Sequence, residues 1–306
     1  MYDIIQNMKL SLCCISNVLA EKNIKFRTMT YKSFSSKSKI ESLEKLSDIV
    51  RNNFNTTEKI IRHCAAMEIK GYRISSDLVP VINHPEVNLN ISDLPNYKLI
   101  QYEIDKVKRA IKETGIRVSA HPSEYISLTS DDPKVINNSI TDLESHAELF
   151  DLFELERSTY NPLNIHCRKD GDPLEISDKF KKNFERLSDS VKSRLVLENN
   201  DNAKGVWSIR NLIKYFPSYS ITFDILHHKM LSDGYTEEEA FNASYNTWKF
   251  EPIFHYSEGK DNTRAHKDMA DNLPPDYGRN VIWDVELKGK DHAILEMINR
   301  GGKNGN

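Results

Sequence analysis

One apolar run after another in this chain ends on a side chain able to bind a metal ion, and a helical stretch follows each. His121 closes residues 117–120, His166 closes 161–165, Glu198 closes 194–197, Asp224 closes 221–223 and His255 closes 252–254. One imidazole or carboxylate at a strand end is common and usually structural. Five in succession require a fold that brings strand ends to one point. A closed barrel of parallel strands does this, because its active site is built from the carboxyl ends of many strands. Imidazoles mixed with carboxylates at one focus point to divalent-metal chemistry.

The chain has 306 residues, within the range of one large barrel domain. No Gly/Ser-rich or Pro-rich linker divides it, so residues 1–300 are expected to form one domain and residues 301–306 a flexible tail. With 42 basic and 45 acidic side chains the formal charge is −3, which argues against an indiscriminate polyanion binder but leaves room for a local basic face. Cys13, Cys14, Cys64 and Cys167 form no C-x-x-C pair and no disulfide framework; they read as buried thiols of a reducing compartment. Residues 10–20 are apolar but interrupted by Ser11, Ser16 and Asn17, with no basic segment before them, unlike a signal peptide. No run reaches the roughly 18 apolar residues of a membrane span, so an intracellular protein with no membrane partner is expected.

Period and punctuation place the remaining elements. Residues 9–15 read as a first strand and 72–75 as a second, with Gly71 before it as a helix stop. Between them, residues 36–67 carry helical spacing that Asn52 to Thr57 is expected to break into two helices. Residues 97–114 are amphipathic and end at Gly115, while Asp132 and Pro133 read as cap and first residue of a helix running to about Phe150. Residues 176–191, 207–216 and 236–248 are further helices, the last opened by a Thr236–Glu239 capping box. Residues 281–287 form the eighth strand and 291–299 a last helix. Eight strands alternating with helices predict an α/β fold, a single (β/α)8 TIM barrel with a metal site at the carboxyl face of its strands. An open doubly wound sheet would compete, but no G-x-G-x-x-G follows the first strand.

Taken singly, each candidate ligand is more often a satisfied polar group than a ligand. Their shared position changes this, since Glu198 and Asp224 inside a barrel mouth are costly without a balancing cation. Asp224 and His227 stand three apart where a strand becomes a helix, so one carboxylate and one imidazole can serve adjacent metals, with His228 left for a supporting or solvent-facing role. In the eighth strand Asp284 and Glu286 share a face; Glu286 is the inward ligand and Asp284 lies below it. His266 can reach the same centre from a loop. Clusters of two or three cations commonly cleave phosphodiesters, activating water and neutralising the leaving oxygen. The ligand set therefore points to hydrolysis or sugar isomerisation before redox chemistry.

At these residues the chain resembles the UV damage endonuclease family, related to endonuclease IV and the xylose-isomerase-like barrels. The matching segments are Arg-Ile-Ser-Ser-Asp-Leu-Val-Pro (73–80), His-Pro-Ser-Glu-Tyr (121–125), Leu-Glu-Asn (197–199), Phe-Asp-Ile-Leu-His-His (223–228) and His-Tyr-Ser (255–257). The resemblance implies a DNA repair endonuclease that uses two or three divalent ions (Mn, Zn or Mg) to nick damaged double-stranded DNA on the 5′ side of UV photoproducts and other distorting lesions. It implies that Glu198 bridges metals, with Asp224, His255 and Glu286 at one ion, His121 and His166 at a second, and His227 with His266 at a third. Glu198, Asp224, His255 and Glu286 would be the catalytic group. Glu124, Tyr125, Ser75 and His84 would contact DNA at the lesion. The family pattern has Gln where this chain has Glu124, and a carboxylate near phosphates is repelled where an amide would hydrogen-bond. Leu12 stands where a Tyr is expected, Ile253 where a Lys is frequent, and Lys288 where the last glutamate would fall, so Glu286 serves only through a two-residue shift. Alternatives are an abasic-site endonuclease, a metal-dependent sugar isomerase or epimerase, and a lesion-binding module whose metal site has decayed. The chain is expected to act as a monomer without a protein partner.

Overall fold

The computed structural model describes residues 8–76 and 78–303. In chain order it contains β1 (Lys9–Cys13), α1 (Asn17–Ala20), α2 (Tyr31–Ser35), α3 (Lys39–Ala66), β2 (Gly71–Ile74), α4 (Tyr97–Thr114), β3 (Arg117–Ala120), α5 (Pro133–Leu152) and β4 (Leu163–His166). There follow α6 (Pro173–Phe184), α7 (Asp189–Lys192), β5 (Leu195–Glu198), α8 (Ile209–Tyr215), β6 (Ile221–Thr222), α9 (Ile225–Met230), α10 (Glu237–Tyr245), β7 (Ile253–Tyr256), β8 (Ile282–Val285) and α11 (Asp291–Lys303). All eight strands pair in parallel in the order β6-β5-β4-β3-β2-β1-β8-β7. The remaining seam, between β6 and β7, is joined by a parallel bridge of Asp224 with His255, where the His255 amide donates to Phe223 O at 3.0 Å. This is the expected (β/α)8 barrel.

Strand alternation sorts the residues into two layers. Outward go Leu10, Leu12, Tyr72, Val118, Ile165, Leu197, Phe254 and Trp283, all buried in the apolar layer beneath the helices. Inward, Ser11 faces Gly71 so closely that a Cβ on Gly71 would lie 2.7 Å from Ser11 Cβ. Ser119 Oγ donates to Asp284 at 3.2 Å across the same lumen, and Asn164 reaches Glu198. The lumen is therefore polar in its upper levels. Leu12 belongs to the helix-facing layer, so its place opposite a family Tyr leaves the lumen untouched. Arg117 closes the amino end, its buried guanidinium donating to the carbonyls of Tyr160 (2.6 Å), Thr159 (3.3 Å) and Glu251.

Several local expectations are corrected. Residues 39–66 form one helix, because the polar stretch expected to break it makes tertiary hydrogen bonds instead. Asn53 is fully buried; it accepts from Arg27 N at 2.8 Å and donates to Arg27 O at 2.9 Å and Leu78 O at 3.1 Å. The helix expected over 176–191 is two, α6 and α7. His166 and Glu198 are the last residues of their strands, and His255 lies inside β7. Cys14 is half-buried with a φ of 67° and lines the barrel mouth, whereas Cys13, Cys64 and Cys167 are buried. α11 continues through Lys303, into the stretch expected to be a tail, and residues 304–306 lie outside the described residues. The caps at Asp132 and Thr236 form as expected.

After β7 the chain doubles back. A bridge between Gly259 and His266 and a bond from Lys267 N to Glu258 O (2.9 Å) return it to the mouth. Glu258 braces this return, accepting from Asn272 N (2.8 Å), Tyr256 Oη (2.9 Å) and Lys267 Nζ (3.1 Å). Burial alone would push its carboxyl up, but the backbone amides of Asn272 and Asp271, with Lys267 and Tyr256, hold it down at about 2.

Two outcomes test this account. Asn53→Ala strands polar groups of Arg27 and Leu78 and should destabilise the fold by about 2–4 kcal/mol in urea unfolding. Because the folded Glu258 carboxyl titrates below its unfolded value, its contribution is present above about pH 4 and is lost as pH falls towards 2. Glu258→Gln should therefore cost stability at pH 7, with the difference from the unaltered protein vanishing near pH 2.

Candidate metal centre

Glu198, at the end of β5, stands at the centre of the mouth and is almost fully buried. Its Oε2 lies 3.1 Å from His121 Nε2 and 3.7 Å from His166 Nε2; its Oε1 lies 3.1 Å from His255 Nδ1 and 3.2 Å from His227 Nδ1. Asn164, one inward position below His166, donates its side-chain amide to Glu198 Oε2 and fixes the carboxylate from beneath. His255 Nδ1 is also 3.5 Å from Glu286 Oε1 and 4.0 Å from Asp224 Oδ2. Asp224 caps α9, accepting from His227 N at 2.7 Å, and Asn199 clips its backbone on both sides.

Among the described residues three sets of donor atoms converge within 4.8 Å: His121, Glu198 and His255; His166, Glu198 and His227; Asp224, His255 and Glu286. The third set coincides with one expected grouping. The other two differ from the expected partition: His121 is drawn to His255, and His166 rather than His266 stands with His227. His266 sits apart from His227, its Nε2 at 3.9 Å from Glu286 Oε2 and its Nδ1 at 2.8 Å from Glu286 O. Glu286 follows β8 and points inward, with Asp284 one level down at 3.8 Å from His255 Nε2. His228 is buried against the Phe223 ring, away from the cluster.

The donor set fits divalent cations. Buried Asp224 Oδ2, Asp284 Oδ1 and His166 Nδ1 have no hydrogen-bond partner, which is costly for groups shielded from water. With Nδ1 of His121 bonded to Pro122 O at 3.1 Å, its Nε2 lone pair faces a carboxylate oxygen, an arrangement that a cation between them relieves. Glu198, Asp224, Asp284 and Glu286 crowd together, opposed by the buried Arg73 guanidinium, 2.5 Å from Glu286 and 3.9 Å from Asp284. Burial would raise the Glu198 and Glu286 carboxyls, yet neighbouring imidazoles and, for Glu286, Arg73 hold both well below the usual range. Burial pulls His166 down to about 4, so its imidazole is neutral and ready to ligate, whereas Glu198 and Glu286 outweigh burial at His255 and raise it to about 9.

Above the cluster opens a cavity of about 1150 Å³, whose lining includes Cys14, Ser76, Arg168, Arg264 and Lys290. Glu124 lies on its rim, and the neighbouring Tyr125 is 81% exposed. Of the residues expected to touch DNA, His84 stacks on Tyr31 at 4.0 Å between ring centres, and Ser76, next to Ser75, lines the cavity. Sequence reading missed Arg73, Asn164, Arg168 and Arg264. Asn164 was accessible through period-two counting back from His166, and Arg73 as a charge inside an apolar run.

The family model for UV-endonuclease UvdE matches residues 8–303. A UV DNA damage endonuclease of Bacillus cereus is 31% identical over 288 residues, covering 89% of this chain and 88% of that protein. The crystal structure of SacUVDE superposes with a TM-score of 0.81 and 26% identity, covering 97% of this chain and 98% of the other. The 3-keto-D-glucoside 4-epimerase of E. coli is similar at a TM-score of 0.53 and 14% identity, covering 81% of this chain and 94% of the other, which is a likeness of fold.

Divalent cations that bind only the folded cluster stabilise it by mass action, by about 2.7 kcal/mol at a hundredfold excess over Kd. Adding Mn²⁺ or Zn²⁺ should raise the melting temperature and a chelator should reverse the rise. In Glu198→Gln the rise should be largely abolished.

Proposed function

Because the chain belongs to the UV-endonuclease UvdE family, we propose that it is a metal-dependent DNA repair endonuclease that hydrolyses a phosphodiester on the 5′ side of UV photoproducts and other distorting lesions. The cluster at the mouth supports this reading most strongly: seven ligand-type side chains, from strand ends and the segments that follow them, gather around Glu198 under an open cavity. Two or three divalent ions, Mn, Zn or Mg, would be held by the three donor sets, with Glu198 and His255 shared between sets and His266 at the margin beside Glu286. When bound, such ions supply a nucleophilic water at neutral pH and offset the charge that builds on the phosphoryl and leaving oxygens.

The chain's own residues do the positioning. Asn164 from below and the imidazoles around it keep Glu198 ionised and in one orientation. Arg73 does the same for Glu286. The carbonyls of Pro122 and Glu286 engage Nδ1 of His121 and His266, turning each Nε2 towards a carboxylate of the cluster, while His227 presents Nδ1 to both Asn199 O and Glu198. Glu124 and Tyr125 project from the loop after β3, where they can meet a distorted duplex. The substrate is damaged double-stranded DNA, so the protein works where the genome is held, as a monomer. Among the described residues no helix is long and apolar enough to cross a membrane.

Purified protein with Mn²⁺ should nick UV-irradiated duplex far faster than undamaged duplex, and Glu198→Gln should lower that rate by at least about a hundredfold. An abasic duplex cut in preference to a photoproduct would redirect the lesion assignment. Turnover of free ketoses with no nicking would overturn the nuclease reading in favour of the sugar chemistry known on similar barrels.

A further inference from the structure

Two arginines of the cavity rim are each paired with a carboxylate. Arg168, in the loop after β4, lies 4.0 Å from the carboxylate of Glu124 in the loop after β3. Arg264, in the return after β7, lies 3.3 Å from Asp201 in the loop after β5. All four residues line the same cavity as the metal cluster. Both pairs are wet: the Arg264 side chain is 70% exposed, as is that of Glu124. The backbone beneath them is pinned. Asp170 accepts from Asn202 Nδ2 (2.7 Å) and Val206 N (3.1 Å), and Trp207 Nε1 donates to Lys169 O (2.5 Å), which ties the Arg168 loop to the Asp201 loop. Arg264 is carried on the short return closed by the Gly259–His266 bridge.

We propose that Arg168 and Arg264 are contacts for duplex phosphates, and that Glu124 and Asp201 hold their guanidinium groups in the free protein by occupying the places phosphate oxygens take on docking. This rests on the nuclease reading above and deepens it by naming the residues that engage the backbone. Water screens an exposed ion pair and leaves it weak, so exchanging one is easy. A guanidinium fork matches a phosphate as well as a carboxylate and can grip either with two parallel bonds. A chain of net charge −3 that binds a polyanion must concentrate its cations at the point of contact, and masking them until DNA arrives limits adhesion to any acidic surface. Glu124 then serves as a stand-in anion rather than a repulsive intrusion.

The test is the salt dependence of binding to an undamaged duplex, between about 50 and 200 mM salt, without added metal. Arg168→Ala and Arg264→Ala should each lower the slope of log K against log salt by about 0.9, and the double variant by about 1.8. Glu124→Gln and Asp201→Asn should each tighten binding about two- to fivefold. Arg168→Lys should keep the slope; loss of slope there too would point to a displaced loop and overturn the charge argument. Unchanged slopes in a protein that still binds duplex overturn this inference and leave the nuclease reading standing. No duplex binding by the unaltered protein at about 50 mM salt overturns both.

Discussion

The carboxylate of Glu198, ringed by the imidazoles of His121, His166, His227 and His255, is the interaction around which the molecule is organised. Those residues come from β5, the loop after β3, β4, α9 and β7, so only a closed barrel can bring them together. A buried charge of this kind costs several kcal/mol unless it is oriented and neutralised. That requirement accounts for the polar lumen: Asn164 beneath Glu198, Ser119 against Asp284, and Arg73 against Glu286. The stability of the fold then rests on the other layer, where Leu10, Leu12, Tyr72, Phe254 and Trp283 pack under the helices.

Much of this was legible in the sequence, for a physical reason. Barrel strands are short and apolar on their outer face, so an imidazole or carboxylate at the carboxyl end of such a run stands out even where a smaller polar residue such as Ser119 or Asn164 precedes it. Helix ends marked by chemistry, such as Asp132 with Pro133 and Thr236 with Glu239, could also be placed. The sequence misled at Asn52–Thr57, where polar side chains that normally end a helix serve instead as tertiary hydrogen bonds from Asn53 to Arg27 and Leu78. The residues themselves gave no pairing of the imidazoles, and the grouping implied by the family resemblance, His121 with His166 and His227 with His266, differs from the sets the fold brings together. The departures at Leu12 and Ile253 look consequential in one dimension, yet Leu12 points into the helix-facing layer.

The weakest stretch of the sheet coincides with the site. β6 has two residues, and the seam to β7 is held by the Asp224–His255 bridge, two members of one donor set. Trp248 and Thr247 support the start of β6, bonding Ile221 O at 2.8 Å and Ile221 N at 2.8 Å. Closure of the cylinder and assembly of the cluster are thus one structural event, which couples the order of the mouth to the charge it contains.

Arg117 corks the far end. Its guanidinium fills the base of the cylinder, bound to carbonyls of Tyr160, Thr159 and Glu251 and lying 4.6 Å from the Tyr160 ring centre. With the amino end closed in this way and the lumen filled by inward side chains, the cluster faces the cavity at the carboxyl end of the strands. A ligand of the cluster therefore has to come in from the carboxyl side, across the cavity lined by Glu124, Arg168 and Arg264.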